Sequence, residues 1–506
     1  MTNIALPARR AVAPRAGRGS LDRPGATAVI SLAGWTGFAV ARLVTWAHGD
    51  ISRFIMSGVK KYSHPREMWP PIGHVPLSGY DGQFYYRLAL DPFNWRHAAY
   101  GITMDHAYRY TRLGYPLLAW ALSLGQARLL PLVLVAINLA CVAAIGWLGG
   151  ILARDAGRHA LWGLLLVAYF GTVISVGRDT AEPLAGALML GGLLALRRGR
   201  PGLAAALLAC AVVTDETMLV LPVAIFLGGY TPIPPDPPAR AASRRIFKLR
   251  RTGPLTLRFR GPAGLLERSK LRSLALARLA APPAVVGTSR RRLAGARFAS
   301  RATRRRKRLP PHPGARLAAP PAVVGASHRR LSRLDLAWIM PTAAWLVLQV
   351  IERLVVRGGA GASADLSRNL GLPFQGMERG LRADVRLMSW SRLGTHDINL
   401  IEFAALAIVV LAGFLVLRST CAPVVERMAF AGFVLVEMVL ATWQFWGSTF
   451  GDGRAYVDCY LLAIVVLLAT PQSGARPAVT SKGLATVAAI AVTALVVVAR
   501  RRILFE

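Results

Sequence analysis

The sequence predicts an all-α, polytopic transmembrane helical bundle. Two observations carry that expectation: apolar residues gather in long runs, and basic residues punctuate the turns at alternate ends of those runs. Of the 506 residues, 54% are hydrophobic, which is ordinary for a soluble protein, so the clustering decides the class. Long runs occupy Ala26–Ala47, Leu129–Ala153, Leu161–Val176, Leu336–Val356, Leu400–Leu417, Met428–Phe445, Tyr460–Thr470 and Leu484–Ala499. Many approach the ~20 residues needed to cross a bilayer as helix, a form that satisfies its backbone polar groups within the segment.

Taken in order, residues 1–25 form a basic N-terminal segment with five arginines, and Arg42 lies inside the apolar stretch that follows. That pattern fits a signal anchor with a cytoplasmic N-terminus better than a cleaved leader. Lys and Arg mark cytoplasmic loops, so the first span runs outward and residues 48–128 become an extracytoplasmic, helical loop. Leu113–Leu124 is apolar, but making it a span would put the basic turns that follow on the outer side. It is therefore expected as a helix packed at the outer surface. Leu129–Ala153 returns to the basic turn Arg154–Arg158, Leu161–Val176 exits, and Pro183–Leu196 returns to Arg197–Arg200. Leu203–Val213 exits and Met218–Tyr230 returns, both short for full spans. Residues 26–230 thus form one transmembrane module.

Residues 231–335 interrupt it. The net charge of +37 is concentrated here: between Arg240 and Arg333, 26 Lys or Arg stand against one acid, Glu267. The tract is rich in Arg, Ala and Pro, and Ala277–Leu293 recurs at Ala315–Leu331 with two mismatches. Two copies are too few for a stacked repeat, and the composition buries too little apolar surface to offset ordering. A disordered cytoplasmic insert is expected, with contact to anionic lipid as the functional alternative. Nucleic acid is not an expected partner, because Arg304–Arg308 lacks interleaved aromatics. Residues 336–506 resume the bundle, with an outer loop over 357–397, for about eleven spans in all. Cys141, Cys210, Cys421 and Cys459 lie in or beside apolar runs without metal-ligand spacing, and His64, His74, His97 and His106 are scattered through the first outer loop, also without it.

This topology gathers charged residues on the outer face. Arg109 and Arg112, three apart, share a face if helical and suit a phosphate clamp or interfacial anchoring. Asp179 and Glu182 are spaced to steady Arg178, to bind a divalent ion, or to cap the next helix. Asp215 and Glu216 close a second acidic cluster or form a polar hinge. Arg454 precedes a span as a further phosphate contact or interfacial anchor. Tyr80, Tyr85 and Tyr86 surround Asp81 with rings suited to sugar stacking or interfacial seating, beside Asp105 in the same loop. No Gly-rich nucleotide loop is present.

The segments Tyr80-Asp81-Gly82-Gln83-Phe84-Tyr85-Tyr86, Tyr108-Arg109-Tyr110-Thr111-Arg112, Arg178-Asp179-Thr180-Ala181-Glu182 and Thr214-Asp215-Glu216-Thr217 resemble those of bacterial GT-C membrane glycosyltransferases. The resemblance covers about residues 25–230, and the remainder by span pattern alone. It implies a polyprenyl-phosphate sugar donor, a glycan, lipid or protein acceptor outside a bacterial inner membrane, and Asp81 as general base. Gly82 stands where many relatives carry a second acid, and Asp215 where a basic residue is expected. Two other classes stay open: a transporter or flippase of lipid-linked glycan, and a catalytically inactive scaffold. No cofactor is required by the reading, and a divalent metal ion is the one candidate. Oligomeric state is not read from the sequence.

Overall fold

Small residues bring the first two long helices into contact. α1 (Pro24–Thr45) begins with Pro in its first turn, where the missing N–H has no intrahelical partner to lose. It packs along α4 (Leu130–Asp155), where a Cβ added at Gly150 would stand 2.5 Å from Thr27 Oγ1 and 2.9 Å from Pro24 Cα. Thr27 also donates to the Gly146 carbonyl at 2.8 Å. Close backbone approach through Gly, Ser and Thr is how helices associate where the hydrophobic effect is absent.

The computed structural model describes residues 20–76, 79–229, 334–355, 370–389, 394–440, 446, 454–471 and 481–504. Residues 230–333, with the basic tract, lie outside the described residues, as do 1–19 and most of the expected outer loop before 370. Among the described residues, five helical segments are long and apolar enough to cross a membrane. They are α1, α4, α9 (Leu336–Val355), α11 (Thr395–Val416) and the Gly483–Arg500 portion of α14 (Ser481–Leu504).

The expected span Leu161–Val176 is not one helix. A 3-10 turn over Ala160–Leu166 meets α5 (Gly171–Gly177) at 71°. At the break the Leu165 carbonyl accepts from the Ala168 N–H at 3.3 Å and also from the distant Tyr460 hydroxyl at 2.9 Å. The other short runs fold as α6 (Glu182–Arg197), α7 (Pro201–Thr214), α8 (Val220–Gly228), α12 (Val424–Val439) and α13 (Val457–Leu468). All twelve side chains of α13 are buried, so it is a central helix rather than a lipid-facing one. At 1.5 Å per residue it rises ~18 Å, well short of a ~30 Å hydrocarbon core.

The segment after α1 is built from α2 (Gly82–Leu90), α3 (Gly114–Leu122), short 3-10 turns and two small strand pairs. β1 (Ser57–Gly58) pairs parallel with β2 (His74–Val75), and β3 (Ala98–Ala99) antiparallel with β4 (Ile102–Thr103). Each strand has two residues, and the described structure is mostly helical, in keeping with the all-α expectation. α3 has nine residues and does not cross a bilayer, as expected for 113–124. Ile55, Phe84, Tyr85, Leu88, Tyr110 and Tyr115 of the segment form a core continued by Leu134 and Ile137 of α4. The last described helix before α11 is α10 (Gln375–Leu387).

Candidate functional site

Gly82 places the N-terminus of α2 directly on the turn after α5. A Cβ at this position would collide with the Arg178 carbonyl and come within 2.6 Å of the Ile55 carbonyl, so no side chain fits. Asp81 therefore sits beside Arg178. It flanks the helix start but makes no side-chain cap bond. Its carboxylate instead meets Arg109 Nη2 at 3.0 Å.

Arg109 belongs to the 3-10 turn Ala107–Thr111 and is held from three sides. Asp105 accepts from its Nε and, at 2.8 Å, from its Nη2, while the guanidinium lies 4.0 Å from the Phe84 ring centroid. Burial alone works against the Arg109 charge, and Asp81 leads the contributions that more than offset it, holding the pKa well above the ordinary arginine value. Arg112 lies just beyond that turn, so the two arginines do not form a single clamp. It binds Glu216 in a bidentate pair at 2.7 and 2.5 Å, tying the segment between α1 and α4 to the turn after α7. Gly114 reinforces the joint, because a Cβ there would collide with Thr214. Burial pushes the Glu216 carboxyl up, and the Arg112 charge outweighs that, leaving it below the usual carboxylate range.

Asp215 has a different task. It caps the turn Glu216–Leu219, accepting from Thr217 N–H at 3.0 Å, and burial holds its pKa up. The Thr217 hydroxyl is within hydrogen-bond reach of Asp215 at 2.9 Å and of Asp458 Oδ2 at 3.2 Å. Asp458 on α13 and Glu437 on α12 are both buried, and Asp458 Oδ1 and Glu437 Oε2 have no hydrogen-bond partner among the described residues. Sequence reasoning misses these two acids. The signal is present in the chain: an ionisable residue at or inside an apolar run marks a functional position by default.

The capping expectation for Asp179 and Glu182 fails. α6 begins at Glu182 with Ala181 at its cap, so Asp179 caps nothing. Asp179 has a left-handed backbone (φ 47) and is fully buried, with both carboxylate oxygens unpartnered among the described residues. Burial pushes its pKa well above the carboxylate range, and the Arg42 charge offsets part of that. Arg42 is itself buried in α1, donating to the Gly177 carbonyl at 3.2 Å beneath the Trp46 ring. Glu182 accepts from Ser175 Oγ at 3.2 Å. The Arg178 guanidinium lies 4.3 Å from the Tyr80 ring centroid.

Tyr85 and Tyr86 are buried, so neither offers the open ring face expected of a sugar platform. Tyr85 packs edge-on against Tyr115 at 5.6 Å and lies in electrostatic range of Arg112, Glu182, Asp81 and Asp215. It is the point on which the separate clusters converge. Arg454 opens the turn Arg454–Tyr456 before α13, and its side chain lies outside the described residues. Among the described residues, no group of three or more His, Cys, Asp or Glu is arranged to hold a metal ion.

The arrangement combines a partly exposed carboxylate, two arginines committed to acids, a third arginine stacked on a tyrosine, and a deeper set of buried acids. It suits proton transfer beside an anion. No protein-family model, curated protein or solved structure matches the chain.

Proposed function

We propose that this chain is a membrane glycosyltransferase of GT-C type, moving a sugar from a polyprenyl-phosphate donor to an extracytoplasmic acceptor. The observation that carries the reading is Asp81 held 3.0 Å from Arg109 at the start of α2, beside the Arg178 turn. In the proposed reaction Asp81 takes the proton of the acceptor hydroxyl, whose oxygen attacks the anomeric carbon. The bond from that carbon to the phosphate oxygen breaks, and polyprenyl phosphate leaves with the electron pair. Arg109 aims Asp81 from 3.0 Å, a positioning role in place of the phosphate contact first expected of it. Arg178 and Arg112 supply charge to the departing phosphate.

Asp81→Asn keeps the shape and removes the proton acceptor, so transfer by the purified enzyme should fall ~10²–10⁴-fold with folding intact. Arg112→Ala should raise the KM for donor instead. Transfer by Asp81→Asn within a few-fold of wild type would remove Asp81 from the chemistry.

The proposal includes several crossings of a bacterial inner membrane, with the N-terminus and residues 231–335 cytoplasmic and 48–128 outside. α9 supports this sense, because Val355 at its end lies with Asp91, Trp95 and Arg96 around one cavity of the outer segment. Single cysteines at Phe93 and Ser300, with exposed Cys210 and Cys421 replaced by Ser, should label from opposite sides of sealed vesicles. Labelling from the same side would overturn the topology. A second reading, transport of a lipid-linked glycan, is favoured by the broken pair Ala160–Leu166 and α5, since transporters place discontinuous helices at their substrate sites.

A further inference from the structure

α10 lies across the ends of two neighbouring helices. Just ahead of it, Phe374 N–H donates to the Met438 carbonyl at 2.7 Å and Gly371 N–H to the Val439 carbonyl at 2.9 Å, at the C-terminal end of α12. Further along, Asp384 lies 2.7 Å from His396 Nδ1 and accepts from Asn399, both at the N-terminal end of α11. The stretch from Phe374 to Asp384 rises ~15 Å as helix, more than the ~8–10 Å between packed helix axes. α10 therefore runs crosswise over the place where α11, a candidate membrane span, begins.

The faces of α10 are sharply divided. Gly376, Gly380 and Asp384 are buried against the protein. Arg379, Arg382 and Arg386 are exposed and recur at three and four residues, which aligns them in one stripe. Glu378, the exposed acid of the helix, pairs with Arg382 at 2.5 Å, and a pair this open to water is weak. Around the C-terminal end of the helix, Val385, Leu387 and Met388 are exposed at 50%, 61% and 41%. A cationic stripe beside exposed apolar side chains is the pattern of a helix lying in the plane of a membrane surface.

We propose that α10 lies in the headgroup layer and binds anionic phospholipid headgroups through Arg379, Arg382 and Arg386. Guanidinium forks match phosphate oxygens in two-point contacts, and the apolar end meets the upper acyl chains. That end is why a lipid, rather than a soluble phosphate, is the occupant. The proposal is independent of the sugar-transfer reading.

Hydrogen exchange of the α10 amides in the full-length protein tests it. Nanodiscs of phosphatidylcholine alone are compared with nanodiscs that also contain phosphatidylglycerol. The readout is local to α10, so anionic lipid bound elsewhere on this basic chain does not register. Exchange over residues 375–387 should slow at least about fivefold with phosphatidylglycerol and recover at high salt. The triple variant Arg379→Gln, Arg382→Gln, Arg386→Gln should lose the effect, and glycerol phosphate added to neutral discs should not reproduce it. Equal exchange in the two lipids for the wild type overturns the proposal, whatever the variant does. Equal slowing by glycerol phosphate also overturns it, because a soluble phosphate would then suffice.

Discussion

Glu216 fastens the segment between α1 and α4 to the bundle through Arg112, and both oxygens of its carboxylate are used. Side-chain exposures of 16% and 33% put this pair between the surface and buried regimes. Glu216→Gln should destabilise by about 1–2 kcal/mol, below the figure for a fully buried pair because water screens part of it. The pH dependence has a definite sign. The folded-state pKa of Glu216 is lowered, so its stabilisation is complete above the ordinary glutamate value and is lost as pH falls through the folded one. Melting temperatures of wild type and Glu216→Gln should thus differ most near neutrality and converge in strong acid. A difference that grew on acidification would remove the ion pair as the cause. The same pair shows where reading residues by sequence stops. Asp81, Asp105 and Arg109 share one stretch, so their meeting is legible in the chain. Arg112 finds its acid 104 positions away, and Thr217 meets Asp458 241 positions away. No local spacing encodes such a partner.

At the scale of elements, hydropathy locates the runs and misses what they pack against. Leu161–Val176 reads as continuous because its composition is continuous. At its break it meets Tyr460, from a helix far along the chain, and packs through Gly163, where a Cβ would collide with the backbone of Gly149 and Gly150. The run from Tyr460 reads as a span for the opposite reason. A helix apolar on every side satisfies a lipid surface and a protein interior equally, and periodicity cannot separate the two. α13 is enclosed, so its acid Asp458 faces other acids instead of solvent or lipid. α10 is hidden within an expected outer loop. The spacing of Arg379, Arg382 and Arg386 is visible in the sequence, whereas the crosswise placement needs the bonds to α11 and α12. The broken span and the enclosed helix account for part of the gap between the eleven crossings expected and the five long helices found among the described residues.

For the molecule as a whole, the decisive question is whether the bundle on either side of residues 230–333 is one folding unit. α8 ends and α9 begins at the two sides of that tract, and the Phe226 and Trp338 rings meet edge-on at 5.0 Å. The chain therefore returns to the place it left, and the packing there is made by residues outside the tract. A loop whose ends are already held together contributes closure entropy that changes slowly with length, about 0.6 kcal/mol per doubling. Removing Arg240–Arg330 and rejoining the ends with a short Gly/Ser linker should consequently leave insertion into the membrane intact. The melting temperature should be unchanged or slightly higher, reflecting about 1–2 kcal/mol in the free energy of closure. Transfer activity, if Asp81 carries it, should survive the deletion and still disappear with Asp81→Asn. A deleted chain that inserts and melts normally but no longer transfers sugar would assign the tract a direct part in the reaction. One that fails to insert would mean that the Phe226–Trp338 contact is a consequence of the tract and not its foundation.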